Sequence, residues 1–142
     1  MGRTARPTHV EFEQPEVAAA FEAFDPGPRG RLLELRALIF TVAEHEDVGP
    51  LRETLKWGEP AYLTRPRRGT TIRLGSKAPD HAAMYVHCQS DVIPQLAPRH
   101  PQLDWVGTRE LSLPVTGRLP KAAVREFIAL ALTYHLRRRL HG

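Results

Sequence analysis

The spacing of the apolar residues changes from helical to strand-like and back along this chain. From Val17 to Phe24 apolar side chains recur at i, i+3, i+4 and i+7, and a second stripe with this spacing runs from Leu32 to Val42. The Pro- and Gly-rich stretch 25–28 separates the two stripes, because a proline disfavours helical geometry in the residue before it. We therefore predict two consecutive amphipathic helices in the first third of the chain.

Between residues 51 and 113 apolar and polar positions alternate with a period of two, which is typical of strands with one buried face. Four strands are predicted, with these inward-facing residues: Leu55 and Trp57; Ile72 and Leu74; Met84, Val86 and Cys88; Leu111 and Leu113. Glu53 falls on the same face as Leu55 and does not fit the apolar pattern. Short strands with a single apolar face favour an antiparallel sheet.

Two further helices complete the predicted order of elements. A short helix is expected from Asp91, and a longer one follows Pro120, with Phe127 and Ala131 on its apolar stripe, and runs into the arginines 137–139. Helices grouped on one face of an antiparallel sheet make an α+β fold. We expect a sheet of about four to five strands in that arrangement.

The organisation of the chain is simple, with no repeats and no internal linker. Residues 1–14 lack a sustained periodicity and are expected to form a flexible N-terminal arm, with a single domain over residues 15–142. A chain of 142 residues that is 42% apolar can bury a self-sufficient core. A lone cysteine, the absence of an apolar leader after Met1, and apolar stretches too short to cross a bilayer predict a cytoplasmic protein with no membrane association.

One stretch carries a family resemblance. The residues from Glu53 to Tyr62 read ETLKWGEPAY, which resembles the E-T-hydrophobic-K-W/Y-G-x-P-A/S-Y/F signature of the YdhG-like domain-of-unknown-function family. Stretches 71–75, 85–89 and 129–135 also look like that family, so the resemblance covers about residues 29–136. It implies a frataxin-like fold, and because some relatives are linked to intracellular iron delivery, it makes iron the one cofactor to consider.

An acidic cluster is the candidate for that metal. The resemblance to frataxin-like proteins implies hard oxygen ligands on an acidic ridge, and the closest counterpart here is Glu44, Glu46 and Asp47, at the end of the second predicted helix. His45 interrupts the cluster, and the chain carries a formal net charge of +4. A solvated helix end is the competing interpretation.

The polar face of the predicted sheet is the candidate ligand-binding surface. Its members are Lys56, Arg73, Tyr85 and His87, and the nearby residues Trp57, Glu59 and Tyr62 complete the candidate set. Lys56 and Arg73 would hold a small anion or a carboxylate, which Tyr85 and His87 would orient. The alternatives are a solvated sheet face or the interface of a homodimer, and for Trp57 simple core packing.

These observations favour a noncatalytic binding module for a small ligand or metal ion that is passed to a partner protein. An enzyme acting on a small anionic substrate at the same polar face is one alternative. The other is weak, nonspecific nucleic-acid binding through Arg65, Arg67, Arg68 and the arginines 137–139. Known catalytic signatures are absent, and the alternation predicts Cys88 as an inert core thiol.

Overall fold

A computed structural model describes residues 10–66 and 68–141 of the protein. The helices are α1 (Pro15–Ala23), α2 (Pro26–Glu46), α3 (Val92–Leu96), α4 (Lys121–Leu132) and α5 (Tyr134–His141). The strands are β1 (Arg52–Lys56), β2 (Glu59–Leu63), β3 (Ile72–Ala78), β4 (His81–Tyr85), β5 (Asp104–Val106) and β6 (Glu110–Pro114). They form one antiparallel sheet in the order β1-β2-β3-β4-β6-β5, so the predicted α+β class is confirmed with six strands instead of four to five.

The helices pack on one face of this sheet and enclose the core. The sheet contributes buried side chains that alternate along each strand, and α2 and α4 supply the opposing layer; the set includes Tyr62, Ile72, Leu74, Met84, Leu111, Leu32, Leu35, Ile39, Val124 and Phe127. The inward-facing residues of the strands and the apolar stripes of the helices therefore form one continuous buried layer. Within the described residues no helix has the length and apolar character that a membrane crossing requires.

Prolines begin the first two helices. Pro15 and Pro26 each occupy the first turn of a helix, where the missing N–H would have no intrahelical acceptor. The break between α1 and α2 is consequently short, with the extended residue Asp25 at the boundary. Because Pro26 starts α2, the helix begins six residues before the apolar stripe that predicted it.

Residues 10–14, which the sequence assigned to a flexible arm, lie against α2 and β1. The side chain of Arg36 on α2 donates to the backbone carbonyls of Val10 and Glu11, and the Gln14 amide donates to the Glu53 carbonyl at 2.7 Å. The guanidinium carbon of Arg36 lies 3.8 Å from the centre of the Phe12 ring. Residues 1–9 of the predicted arm lie outside the described residues.

A two-residue turn joins β1 to β2 and overturns the predicted burial of Trp57. Trp57 and Gly58 both have positive φ, at 57° and 77°, and Lys56 pairs directly with Glu59 across the turn. The Trp57 side chain is 91% exposed. The prediction that Trp57 packs in the core was wrong because the alternation ends at Lys56, where the chain enters the turn.

Replacing Trp57 with a residue that readily adopts a positive φ is expected to stabilise the protein. A left-handed backbone conformation costs an ordinary residue roughly 1–2 kcal/mol, whereas Asn and Gly adopt it readily and are preferred in such hairpin turns. We expect Trp57→Asn to raise the free energy of unfolding by about 1 kcal/mol, measured by urea denaturation. Trp57→Ala is the control, since it removes the indole and keeps the unfavourable φ. An equal gain in both variants would contradict this explanation.

The third predicted strand is displaced toward the N-terminus. A tight turn at Pro79 and Asp80 starts β4 at His81, and its pairing with β6 ends at Tyr85, opposite Glu110. His87 and Cys88 therefore lie beyond the strand, and Cys88 is exposed. The prediction of Cys88 as a core thiol was wrong because the alternation was extended past the last paired residue.

The last predicted helix is divided in two at Thr133. The loop that links β2 to β3 packs into this break, where the Thr70 N–H donates to the Ala131 carbonyl and the His135 N–H donates to the Arg68 carbonyl, both at 2.8 Å. These bonds satisfy backbone groups that a continuous helix would pair internally. Arg67, in the same loop, lies outside the described residues.

Candidate functional site

The sheet face opposite the helices carries the candidate site, and we call it the open face. The strand registers place two rows of residues on it: Thr54, Ala61, Arg73, Tyr85, Glu110 and Val106 in one, and Lys56, Glu59, Gly75, Ala83, Ser112 and Asp104 in the other. Small residues from four strands form a floor on which longer charged side chains and one tyrosine lie.

Tyr85 lies at the centre of the open face and is only 4% exposed. A Cβ atom at Gly75, on the neighbouring strand β3, would lie 3.1 Å from Cε2 of Tyr85 and 2.6 Å from Oε2 of Glu59. The tyrosine ring and the Glu59 carboxylate thus meet above Gly75. Any larger residue at position 75 would push both aside, so glycine is what permits this close approach.

Two ion pairs surround the Tyr85 ring. The Arg73 guanidinium binds the Glu59 carboxylate, and the Lys77 ammonium lies 3.2 Å from Oε1 of Glu110. Both cations also face the ring, with Cζ of Arg73 5.3 Å and Nζ of Lys77 5.5 Å from its centre. The negative ring face attracts each of them. Two cations and two carboxylates therefore surround the phenol and balance one another, and Arg109 is a further positive charge that acts on it.

The hydroxyl of Tyr85 is buried and has no hydrogen-bond partner among the described residues. Burial, reinforced by the charges of Glu110 and Glu59, raises the pKa of Tyr85 to about 12. The phenol therefore keeps its proton at neutral pH and is available as a donor. An unpaired buried hydroxyl costs roughly 1–3 kcal/mol, so a ligand atom that accepts this bond would recover that cost.

An irregularity in β3 accompanies the position of Lys77. The register between β3 and β4 shifts by one residue between Gly75 and Ala78, and the Ser76 hydroxyl lies 2.8 Å from the carbonyl oxygens of both Ala78 and His81. Bulges of this kind redirect side chains and are frequent beside binding sites. Here the bulge includes the lysine that bonds Glu110.

The structure brings together only part of the predicted ligand-binding set. Glu59, Arg73 and Tyr85 are in contact, and Lys56 lies on the same face as an exposed neighbour of Glu59. Tyr62 does not join them: it lies on the helix-covered face, where its hydroxyl donates to Glu53 at 2.6 Å. His87 lies beyond the end of β4, where its Nδ1 accepts from the Gln89 N–H at 3.1 Å.

Two members of the site were not identified from the sequence. Alternation did place Glu110 on the polar face of its strand, and Lys77 follows Gly75 at the same spacing. Neither residue has a visible partner in the sequence, because their contact depends on the pairing of β4 between β3 and β6.

The acidic cluster proposed for a metal lies elsewhere. Glu44 and Glu46 are exposed in the last turn of α2, and Asp47 ends that helix with a positive φ of 53°. In the part of the chain that the structure describes, no group of three or more His, Cys, Asp and Glu side chains is arranged to hold a metal ion. These three carboxylates are not part of the open face.

The two buried tyrosines give opposite predictions for loss of a hydroxyl. Tyr85→Phe removes an unpaired group, so the free energy of unfolding is expected to rise by up to about 1 kcal/mol. Tyr62→Phe removes a bond to the Glu53 carboxylate and is expected to lower it by about 1.5 kcal/mol. Urea denaturation measures both, and each variant serves as the control for the other. Destabilisation of equal size in both would show that the Tyr85 hydroxyl is satisfied in the folded protein.

Comparison with known proteins supports the fold but not an activity. The chain matches no protein-family model and no curated protein sequence. Its structure is similar to the crystal structure of a DUF1801-family protein, YdhG, from Bacillus subtilis, with a TM-score of 0.60. The match covers 80% of this chain and 85% of that one at 16% sequence identity. What the two proteins share is therefore the YdhG-like fold, in agreement with the expectation from the sequence signature.

Proposed function

We propose that this chain is a noncatalytic, cytosolic YdhG-like binding module that holds a small polar ligand on the open face. The observation that carries the proposal is the Tyr85 hydroxyl, which is buried, protonated and without a partner among the described residues. A fold that buries such a donor loses stability unless something accepts its hydrogen bond. A ligand that accepts the hydrogen bond of the Tyr85 hydroxyl would therefore stabilise the folded protein when it binds.

The surroundings of Tyr85 suit binding better than general-base catalysis. A base must lose its proton near neutral pH, whereas the raised pKa of Tyr85 keeps the phenol protonated. Arg73 and Glu59 hold each other in place, which presents fixed polar groups to a ligand. The metal-binding form of the proposal has no comparable support, because Glu44 and Glu46 are exposed on α2, and the described residues contain no group of three such side chains arranged around a metal.

A thermal-shift screen of small polar metabolites tests the proposal. We expect at least one ligand to raise the melting temperature of the wild-type protein in a saturable manner and to have no effect on Tyr85→Phe. The matched control is Ser90→Ala, which also removes a buried hydroxyl without a partner in the described structure, but next to α3 on the helix side. It should respond like the wild type. A screen in which no ligand acts, or in which Tyr85→Phe responds equally, would overturn the proposal.

A further inference from the structure

The balance of charges around the Tyr85 ring limits which ligands can bind there. Around the Tyr85 ring, Arg73 and Lys77 contribute two positive charges, and Glu59 and Glu110 contribute two negative ones. Each of these four charges already has an opposite partner, whereas Lys56 and Asp104 lie further out on the same face. A ligand that carries only one charge and binds among the four groups must therefore displace one of them from its ion pair and leave that group without a counter-charge.

That displacement is costly here because the carboxylates are largely buried. The Glu110 side chain is only 9% exposed, so an anion that took Lys77 from it would leave a buried carboxylate unpaired. Removing one partner of a buried ion pair is strongly unfavourable. An isolated cation that took Glu110 from Lys77 would avoid this cost, but it would offer no acceptor to the Tyr85 hydroxyl. Neither type of ligand satisfies the whole site.

We propose that the open face binds a small zwitterion of the α-amino-acid type, an inference that rests on the proposed function. The ligand ammonium replaces Lys77 at Glu110, while the ligand carboxylate accepts hydrogen bonds from the Tyr85 hydroxyl and the Lys77 ammonium. One ion pair becomes two, no protein charge is left alone, and the unpaired hydroxyl gains an acceptor.

Lys77 is suited to this exchange of partners. Its side chain is 65% exposed, in contrast to the buried carboxylate that it pairs with, so it can move without disturbing the core. It lies in the bulged part of β3, and its ammonium is within 5.5 Å of the Tyr85 ring centre. A short movement therefore carries the ammonium from Glu110 toward a carboxylate bound at the phenol.

Isothermal titration with three related compounds tests the ligand class. Alanine carries both charges, propionate lacks the ammonium, and ethylamine lacks the carboxylate. We expect saturable binding of alanine alone, and an affinity lower by about tenfold or more in Lys77→Gln and in Glu110→Gln. Asp104→Asn, on the same face but outside the ion pairs, is the control and should bind alanine like the wild type.

The outcomes separate this inference from the proposed function. Binding of propionate or ethylamine as tight as that of alanine would overturn the zwitterion and leave a binding surface in place. If none of the three compounds binds but the metabolite screen finds a ligand, only the inference that the ligand is a zwitterion is overturned. Failure in both experiments would overturn the binding module itself. Since the Lys77 side chain is exposed, Lys77→Gln gives a readable result even where Glu110→Gln does not fold.

Discussion

Replacing Arg36 with alanine is expected to lower the free energy of unfolding by about 3–5 kcal/mol, because the change leaves a buried carboxylate without its counter-charge. Arg36 is 1% exposed and makes two bonds to Glu53, from Nε at 2.6 Å and from Nη2 at 2.9 Å. It also donates to the carbonyls of Val10 and Glu11. The same variant therefore also detaches the segment 10–14 from α2.

The remaining contacts of Glu53 cannot compensate for that loss. Tyr62 donates one hydrogen bond to Oε2, and burial together with the Glu53 charge keeps the pKa of Tyr62 above its usual range, so the phenol stays neutral. A neutral donor does not balance a charge in a low-dielectric interior. Urea denaturation measures the loss in the free energy of unfolding, and the denaturant dependence m should be the same in the variant and the wild type.

Two further variants make the explanation falsifiable. Arg31→Ala removes another buried arginine, but its carboxylate partner Glu34 is half exposed, so a smaller loss is expected. Combining Arg36→Met with Glu53→Gln removes both charges and leaves an acceptor for Tyr62, and should recover part of the stability lost in Arg36→Ala. A double variant less stable than Arg36→Ala would show that the ion pair is not what the single substitution disrupts.

This network explains the residue that did not fit the strand pattern. Glu53 alternates correctly and does face the helices, but its partner Arg36 lies on α2, seventeen residues earlier. Hydrophobic periodicity detects apolar contacts and cannot reveal that two buried charges neutralise each other. The alternation was reliable where it was uninterrupted, as in Ile72 and Leu74, which are fully buried.

Elements that lack an alternating pattern were missed. Pro60 lies within β2, and prolines inside a stretch argue against a strand because they cannot donate to the ladder. The strand β5 has three residues, too few for a period of two to be visible. At Trp57 the pattern predicted strand where there is none. Trp57 occupies the next alternating position after Leu55, but it lies in the turn, and tryptophan is not a residue that signals the positive φ found there.

The candidate site was predicted one strand at a time. Alternation was sufficient to place Arg73 and Tyr85 on a common polar face, and it also put Glu110 there. The contacts that make these residues a site depend on strand order and register, since β4 pairs with both β3 and β6. The periodicity of a strand carries no information about its neighbours. The alternation thus identified the face but not its ion pairs.

Gly69→Ala is expected to lower the free energy of unfolding by about 3 kcal/mol, since it places a methyl group against backbone. A Cβ atom at this position would lie 2.3 Å from the carbonyl oxygen of Leu132, at the C-terminal end of α4. No rotamer change can relieve that overlap, because the clashing atoms belong to the main chain. The loop must instead move away from the break between α4 and α5.

That movement would break the hydrogen bonds that fix the loop. The Gly69 N–H donates to Oγ1 of Thr64, and the bonds from Thr70 to Ala131 and from His135 to Arg68 flank it, all at 2.8 Å. Amide hydrogen exchange of Thr70 and His135 should therefore accelerate in Gly69→Ala, together with a lower urea midpoint. The control is Gly30→Ala within α2, where an added Cβ has no atom within 4 Å apart from the backbone of its own helix and its chain neighbours. It should raise stability by about 0.5–1 kcal/mol through helix propensity. If both substitutions were stabilising, the loop would not be held against Leu132 in solution.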